Sequence, residues 1–135
     1  SAEDTVERQR LFEDLAKAHP EIYEVQYLYV TRAFTSIYVR RGGVPIPHGQ
    51  EAQIHSLLKH IEKVPKAVDM YIDRLLNVAE AAIQARNFTL AESIEDILLR
   101  HSRDPVHRFR AEKLKEQTDF EREYAMSHGE ITKNQ

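Results

Sequence analysis

Three residues near the middle of the chain have types and spacing that suit a metal: His48, Glu51 and His55. Glu51 and His55 lie one helical turn apart, and zinc or iron sites use a histidine and a carboxylate at that spacing. The pattern stops short of a known site, with neither His-Glu-x-x-His nor the Glu-x-x-His pairs of di-iron bundles present. Glu51 at a helix N-terminus, paired on the surface with His55, accounts for the same residues. No metal or other cofactor is expected.

Just upstream, Arg40 and Arg41 precede Gly42 and Gly43, in a stretch that also holds Pro45, Pro47 and Gly49. Two cations and flexible backbone N–H groups could wrap a phosphate. However, no Gly-x-x-x-x-Gly-Lys-Ser/Thr loop occurs. A corner between helices explains the stretch more simply. The arginines would face the negative end of the preceding helix, a glycine would take the left-handed stop, and the prolines would stiffen the link. "VPIP" remains an apolar, preformed extended segment able to dock in a partner's groove.

Nucleophile chemistry is also poorly supported. The chain has no cysteine and no Gly-x-Ser-x-Gly. His19, His60, His101, His107 and His128 fall at expected helix ends or on charged faces. The protein is therefore read as a non-enzyme.

The elements that must carry these residues are helical. The chain has 135 residues, 41% of them apolar and 30% charged. That is the size and composition of one domain with a core of its own. A net charge of −3 argues against general nucleic-acid binding. No stretch is apolar and long enough to span a membrane. The opening SAEDTVERQR is charged throughout, with no apolar signal stretch, unless one has been removed, and the absence of cysteine fits a cytoplasmic protein. A first helix is expected over 4–18, ended by His19-Pro20. The segment 21–40 is rich in Tyr, Val, Ile and Thr, which favour strands. Its apolar residues also keep helical spacing, on one face through Ile22, Val25, Tyr29 and Ala33 and on the next through Tyr23, Tyr27, Val30, Phe34 and Ile37. It reads as a helix, with a two-strand ribbon as the rival.

Further helices are expected on Ile54, Leu57, Leu58 and Ile61, and then, after Pro65, on one long stripe from Val68 through Ile72, Leu75, Ala79, Ala82 and Ile83. Thr89 with Glu92 reads as a capping box for the next helix. Asp104-Pro105 opens the last one, and Gly129 stops it. The expected fold is all-α, with five to six antiparallel helices in a bundle or short helical array. Residues 1–128 would form a single helical domain and 129–135 a flexible C-terminal tail.

Residues 75–105, "LLNVAEAAIQARNFTLAESIEDILLRHSRDP", resemble a single tetratricopeptide repeat. Ala79, Ala82 and Ala91 occupy its small-residue crossing, Phe88 its turn and Leu98 the end of its second helix. Pro105 falls about two residues late, and Leu75 replaces an aromatic. The resemblance implies a helical hairpin of the kind used in protein–protein contacts. No further repeat at a fixed period accompanies it.

Four of the six tyrosines, Tyr23, Tyr27, Tyr29 and Tyr38, fall on one segment, and tyrosine suits surfaces that are part buried and part wet. The last helix is long, charged and only interruptedly apolar, through Val106, Phe109, Leu114, Phe120 and Tyr124. It is expected to project, or to pair with another chain. The functional expectation is a non-catalytic interaction domain, an adaptor, chaperone, regulatory or assembly subunit. It would bind another protein or itself through Tyr23, Tyr27, Tyr38, Arg40 and Arg41 and through the last helix. Two alternatives are a small-molecule site between helices near Tyr27, Phe34 and Tyr71, and a helix-turn-helix over 51–75 carrying Lys59, Lys63 and Lys66. Nucleic acid is the least favoured partner.

Overall fold

A computed structural model describes residues 2–36 and 50–132. The described residues form seven α-helices and no strand: α1 (Ala2–Ala18), α2 (Tyr23–Ser36), α3 (Gln50–Ile61), α4 (Lys66–Met70), α5 (Ile72–Gln84), α6 (Phe88–His101) and α7 (Pro105–Ser127). The helices α1, α2 and α3 pack in succession, as do α5, α6 and α7. The short α4 bridges the two groups through α2, α5 and α6.

The strand-prone segment is helical over 23–36. Gln26, Tyr29, Val30 and Ala33 are buried at one-turn spacing, so tertiary burial overrides the local preference for strand. The buried face is not the one that the apolar count suggests, because Ile22 and Tyr23 are exposed and polar Gln26 is buried. Gln26 lies where the end of α1 meets α2 and α3. Its Nε2 donates to the Ala16 carbonyl at 2.8 Å and to the His19 carbonyl at 3.0 Å. Those two bonds fix the amide orientation, so Oε1 accepts from His60 Nδ1 at 2.9 Å. One side chain thus satisfies the Ala16 carbonyl, whose helical partner position is Pro20 with no N–H. It also adds a second donor to the His19 carbonyl, which accepts from Ile22 N–H at 3.2 Å.

The stripe from Val68 to Ile83 is buried as its spacing requires, but it is carried by two helices rather than one. Tyr71, at φ −112° and ψ 27°, interrupts the helix between Met70 and Ile72. The 3.6-residue period survives because Tyr71 N–H still bonds to Ala67 and Leu75 N–H to Tyr71.

Ala79, Ala82 and Ala91 are fully buried between α5 and α6, and small side chains of this kind let two helices approach closely. The turn between them ends α5 with Asn87 N–H on the Ala82 carbonyl and Arg86 N–H on the Ile83 carbonyl. This places Arg86 at φ 61°, a left-handed position where glycine is usual. The arginine side chain offsets the strain. It bonds Glu121 and Glu130, each at 2.9 Å, and lies 5.9 Å from the Phe88 ring centre. We predict that Arg86→Ala lowers stability by about 1–2 kcal/mol, since it keeps the strain and removes the clamp. Arg86→Gly should cost less than half as much, because relief of the strain returns part of the loss. Urea midpoints of the two variants check the order. The cap of α6 is Asn87, whose Oδ1 accepts from Leu90 N–H at 3.3 Å, and not Thr89. Thr89 lies one residue inside the helix, and Glu92 pairs instead with Arg122.

The end of α7 repeats the α5 motif, with Glu130 N–H on Ala125, Gly129 N–H on Met126 and Gly129 at φ 71°, the usual glycine stop. Packing continues past this stop: Ile131 joins the core and Glu130 holds Arg86, where the sequence suggests the start of a tail.

Candidate interaction surface

Asp104 starts α7, its carboxylate accepting from Val106 N–H at 2.8 Å and His107 N–H at 3.4 Å. Pro105 follows in the first turn, where its missing N–H costs nothing. A second carboxylate, Asp69 of α4, fixes the approach. It accepts from Ser102 Oγ at 2.5 Å, Arg103 N–H at 3.0 Å and His107 Nδ1 at 2.9 Å. Partial burial alone would raise the Asp69 pKa. The three donors outweigh it and hold this carboxyl below its usual range. Serine, histidine and aspartate meet here, but both serine and histidine bond to the aspartate. The three contacts latch the start of α7 to α4.

Beyond the latch, α7 presents two faces. Ala111, Leu114, Thr118 and Ala125 are buried against α6 and α5. They fall within about 60° of the helix circumference. Val106, Phe109, Phe120 and Tyr124 fall within a similar arc about 140° away. They are 65%, 56%, 66% and 45% exposed. Tyr124 stacks on His128 at 3.9 Å between ring centres, and the outer side of the arc stays exposed. The interrupted stripe in the sequence is therefore two stripes: a small-residue one that docks the helix and an aromatic one facing outward.

Charge is divided along the same helix. Residues 105–115 contain Arg108, Arg110, Lys113 and Lys115 against Glu112, whereas 116–127 contain Glu116, Asp119, Glu121 and Glu123 against Arg122. A helix macrodipole favours the opposite arrangement, with acids near its start and bases near its end. The first turn of α7 has no acidic residue and the last no basic one. The sequence marks the helix as long and charged, but the division shows only when the two halves are counted separately.

One buried group lies beneath this surface. Glu95 of α6 is fully buried, its Oε2 2.5 Å from Thr118 Oγ1, and its Oε1 has no hydrogen-bond partner. Burial is the main cause that pushes its pKa up, to about 7. Asp119 and Asp96 add to the rise, while the Thr118 bond and Lys115 oppose it. Thr118 Oγ1 also lies 2.9 Å from the Leu114 carbonyl, which can only accept. A hydroxyl has one hydrogen. When Thr118 gives it to Leu114, the Glu95 carboxyl is protonated and donates to Thr118.

The other expected site residues are dispersed. Tyr23 is exposed and stacks at 6.3 Å on the half-buried Tyr27, whose hydroxyl reaches Met70 Sδ at 3.5 Å. Tyr29 is core, its hydroxyl donating to Ser56 at 3.3 Å, which in turn donates to Glu13 at 2.7 Å. Tyr38, Arg40, Arg41 and His48 lie outside the described residues, as does the "VPIP" corner. Residues 51–75 divide among α3, α4 and α5, with Lys59, Lys63 and Lys66 exposed. Tyr27 and Tyr71 both pack against the core, and the Phe34 side chain is outside the described set. An open groove of about 380 Å³ lies between α3 and α6, lined by His55, Leu58, Lys59, Glu62, Asp96 and Arg100 among others, with Arg100 paired to Glu62. Among the described residues no helix is long and apolar enough to cross a membrane, and no three His, Cys, Asp or Glu side chains are grouped to hold a metal. No family model, curated protein or solved structure matches the chain.

Proposed function

We propose that the chain is a non-catalytic protein–protein interaction module, an adaptor, chaperone, regulatory or assembly subunit, and that α7 is its main contact surface. The observation that carries this reading is the outward aromatic stripe of Val106, Phe109, Phe120 and Tyr124 on a helix whose opposite face is already packed. Its apolar area is roughly 400 Å², within the range where the largest patch on a monomer is often functional. Two phenylalanines and a tyrosine are residue types enriched in interface cores. Tyr23 and Tyr27, stacked and partly exposed, offer a second contact on α2.

A photo-crosslinking amino acid at Phe120, introduced in cells of the source organism, tests the reading. A discrete adduct is expected from position 120 and none from exposed Glu80 on α5, used as the control. Equal or absent adducts at the two positions would sink it.

A further inference from the structure

We infer that the α7 surface pairs with a second copy of the same chain, antiparallel, about a two-fold axis passing between Leu114 and Lys115. This builds on the interaction reading above and adds the partner and the register.

Charge is the first argument. Arg108, Glu121 and Arg122 are engaged within the chain. The charges that flank the outward stripe are Arg110 and Lys113 in the first half and Glu116 and Glu123 in the second, so each copy offers a basic first half and an acidic second half. An antiparallel copy sets basic against acidic at both ends, whereas a parallel copy sets like against like. The arrangement that the macrodipole disfavours in a lone helix is the one that an antiparallel mate compensates.

The apolar pattern supplies the second. The register that sets Phe109 against Phe120 of the second copy also sets Lys113 against Glu116, and Val106 beside Tyr124. By symmetry each contact is made twice, as an isologous interface requires. Lys113 and Glu116 lie at the middle of the stripe, between the two aromatic ends. Within one chain they already make an exposed pair at 3.4 Å, and the Lys113 ammonium lies 5.4 Å from the Phe109 ring centre. A lysine and a glutamate in mid-stripe are a poor choice for a general apolar ligand. Opposite their own counterparts they specify alignment.

Area sets the strength. Two such stripes together bury roughly 800 Å² of aromatic and aliphatic surface, below the standard interface size. An interface of that size places the pair among weak, reversible ones.

Sedimentation velocity of the full chain across a concentration series tests this, with far-UV circular dichroism confirming helicity. Wild type is expected to pass from monomer to dimer, and Phe120→Ser to stay monomeric with unchanged helicity. Lys113→Glu and Glu116→Lys should each weaken the dimer about tenfold or more. An equimolar mixture of these two variants should recover it, because every cross-pair then joins a glutamate to a lysine. The double variant Lys113→Glu/Glu116→Lys should recover it alone. Loss of the intrachain pair could not produce recovery in the mixture. Monomer at every concentration, a dimer indifferent to Phe120→Ser, or no recovery in the mixture would each overturn self-pairing. A position-120 adduct to a different protein would then leave the interaction reading standing, while its absence would remove both.

Discussion

Glu95→Gln is expected to raise stability by about 2–3 kcal/mol at about pH 8 and to change it little near pH 4.5. The buried carboxyl has a folded pKa of about 7 against an ordinary value of 4.5. Between those two values the unfolded chain releases the proton while the folded chain keeps it. The folded state then binds more protons, so stability falls as pH rises. The full loss is about 3 kcal/mol, complete once the pH exceeds the folded value. Glutamine has nearly the shape of the protonated acid, and its N–H can donate to Thr118 as the carboxyl does. It lacks a charge to desolvate, so the slope should vanish. Chemical denaturation of both proteins at several pH values from about 4 to 9 checks this. The groups facing Glu95 are Asp96 on its own helix and Lys115 and Asp119 on α7. A wild type whose stability is flat between pH 5 and 7, or rises, would show that the carboxylate is accommodated charged.

The second large effect is a loss. Gln26→Leu is expected to cost about 3 kcal/mol, since it leaves the Ala16 carbonyl without a donor, takes one of two donors from the His19 carbonyl and orphans a buried imidazole N–H at once. Leucine is close in size, so packing contributes little. His60→Phe in the same background should return about half of that loss, because removing both partners of a buried bond costs less than removing one. The Ala16 carbonyl would still lack its donor, while the His19 carbonyl keeps the Ile22 N–H. A double-mutant cycle in urea measures the coupling. Additive losses would mean that the histidine finds water when the glutamine is gone.

These two residues show where sequence reading ends. Period and breakers locate the helices, because Leu75, Ala79, Ile83, Ile94 and Leu98 must share faces and Pro65 and Pro105 must start or end them. Gln26 and Glu95 have ordinary helix-surface identities, and their burial comes from what crosses over them. Nothing local in "YEVQYLY" or "ESIEDIL" signals that crossing. The Tyr71 interruption is hidden for a different reason, since the apolar period runs through it unbroken. Thr89 and Glu92 satisfy the capping spacing, but the left-handed turn at Arg86 starts the helix earlier and gives the cap to Asn87. On α7 the aromatic residues are legible as anomalous. The rule that apolar residues face inward has to be set aside before Ala111, Thr118 and Ala125 can be seen as the docking face.

The contact between Arg86 and Glu130 bears on which changes of length the chain can accept. It joins the turn after α5 to the residue that closes α7, and Ile131 is seated in the core just beyond. One residue added within α7 after Leu114 would turn everything that follows by about 100° and advance it by about 1.5 Å. Thr118, Ala125, Glu130 and Ile131 would all leave their places together. From Arg86 to Ile131 the spacing of residues is thus as constrained as their identity, and insertions or deletions in descendants of this sequence should collect elsewhere.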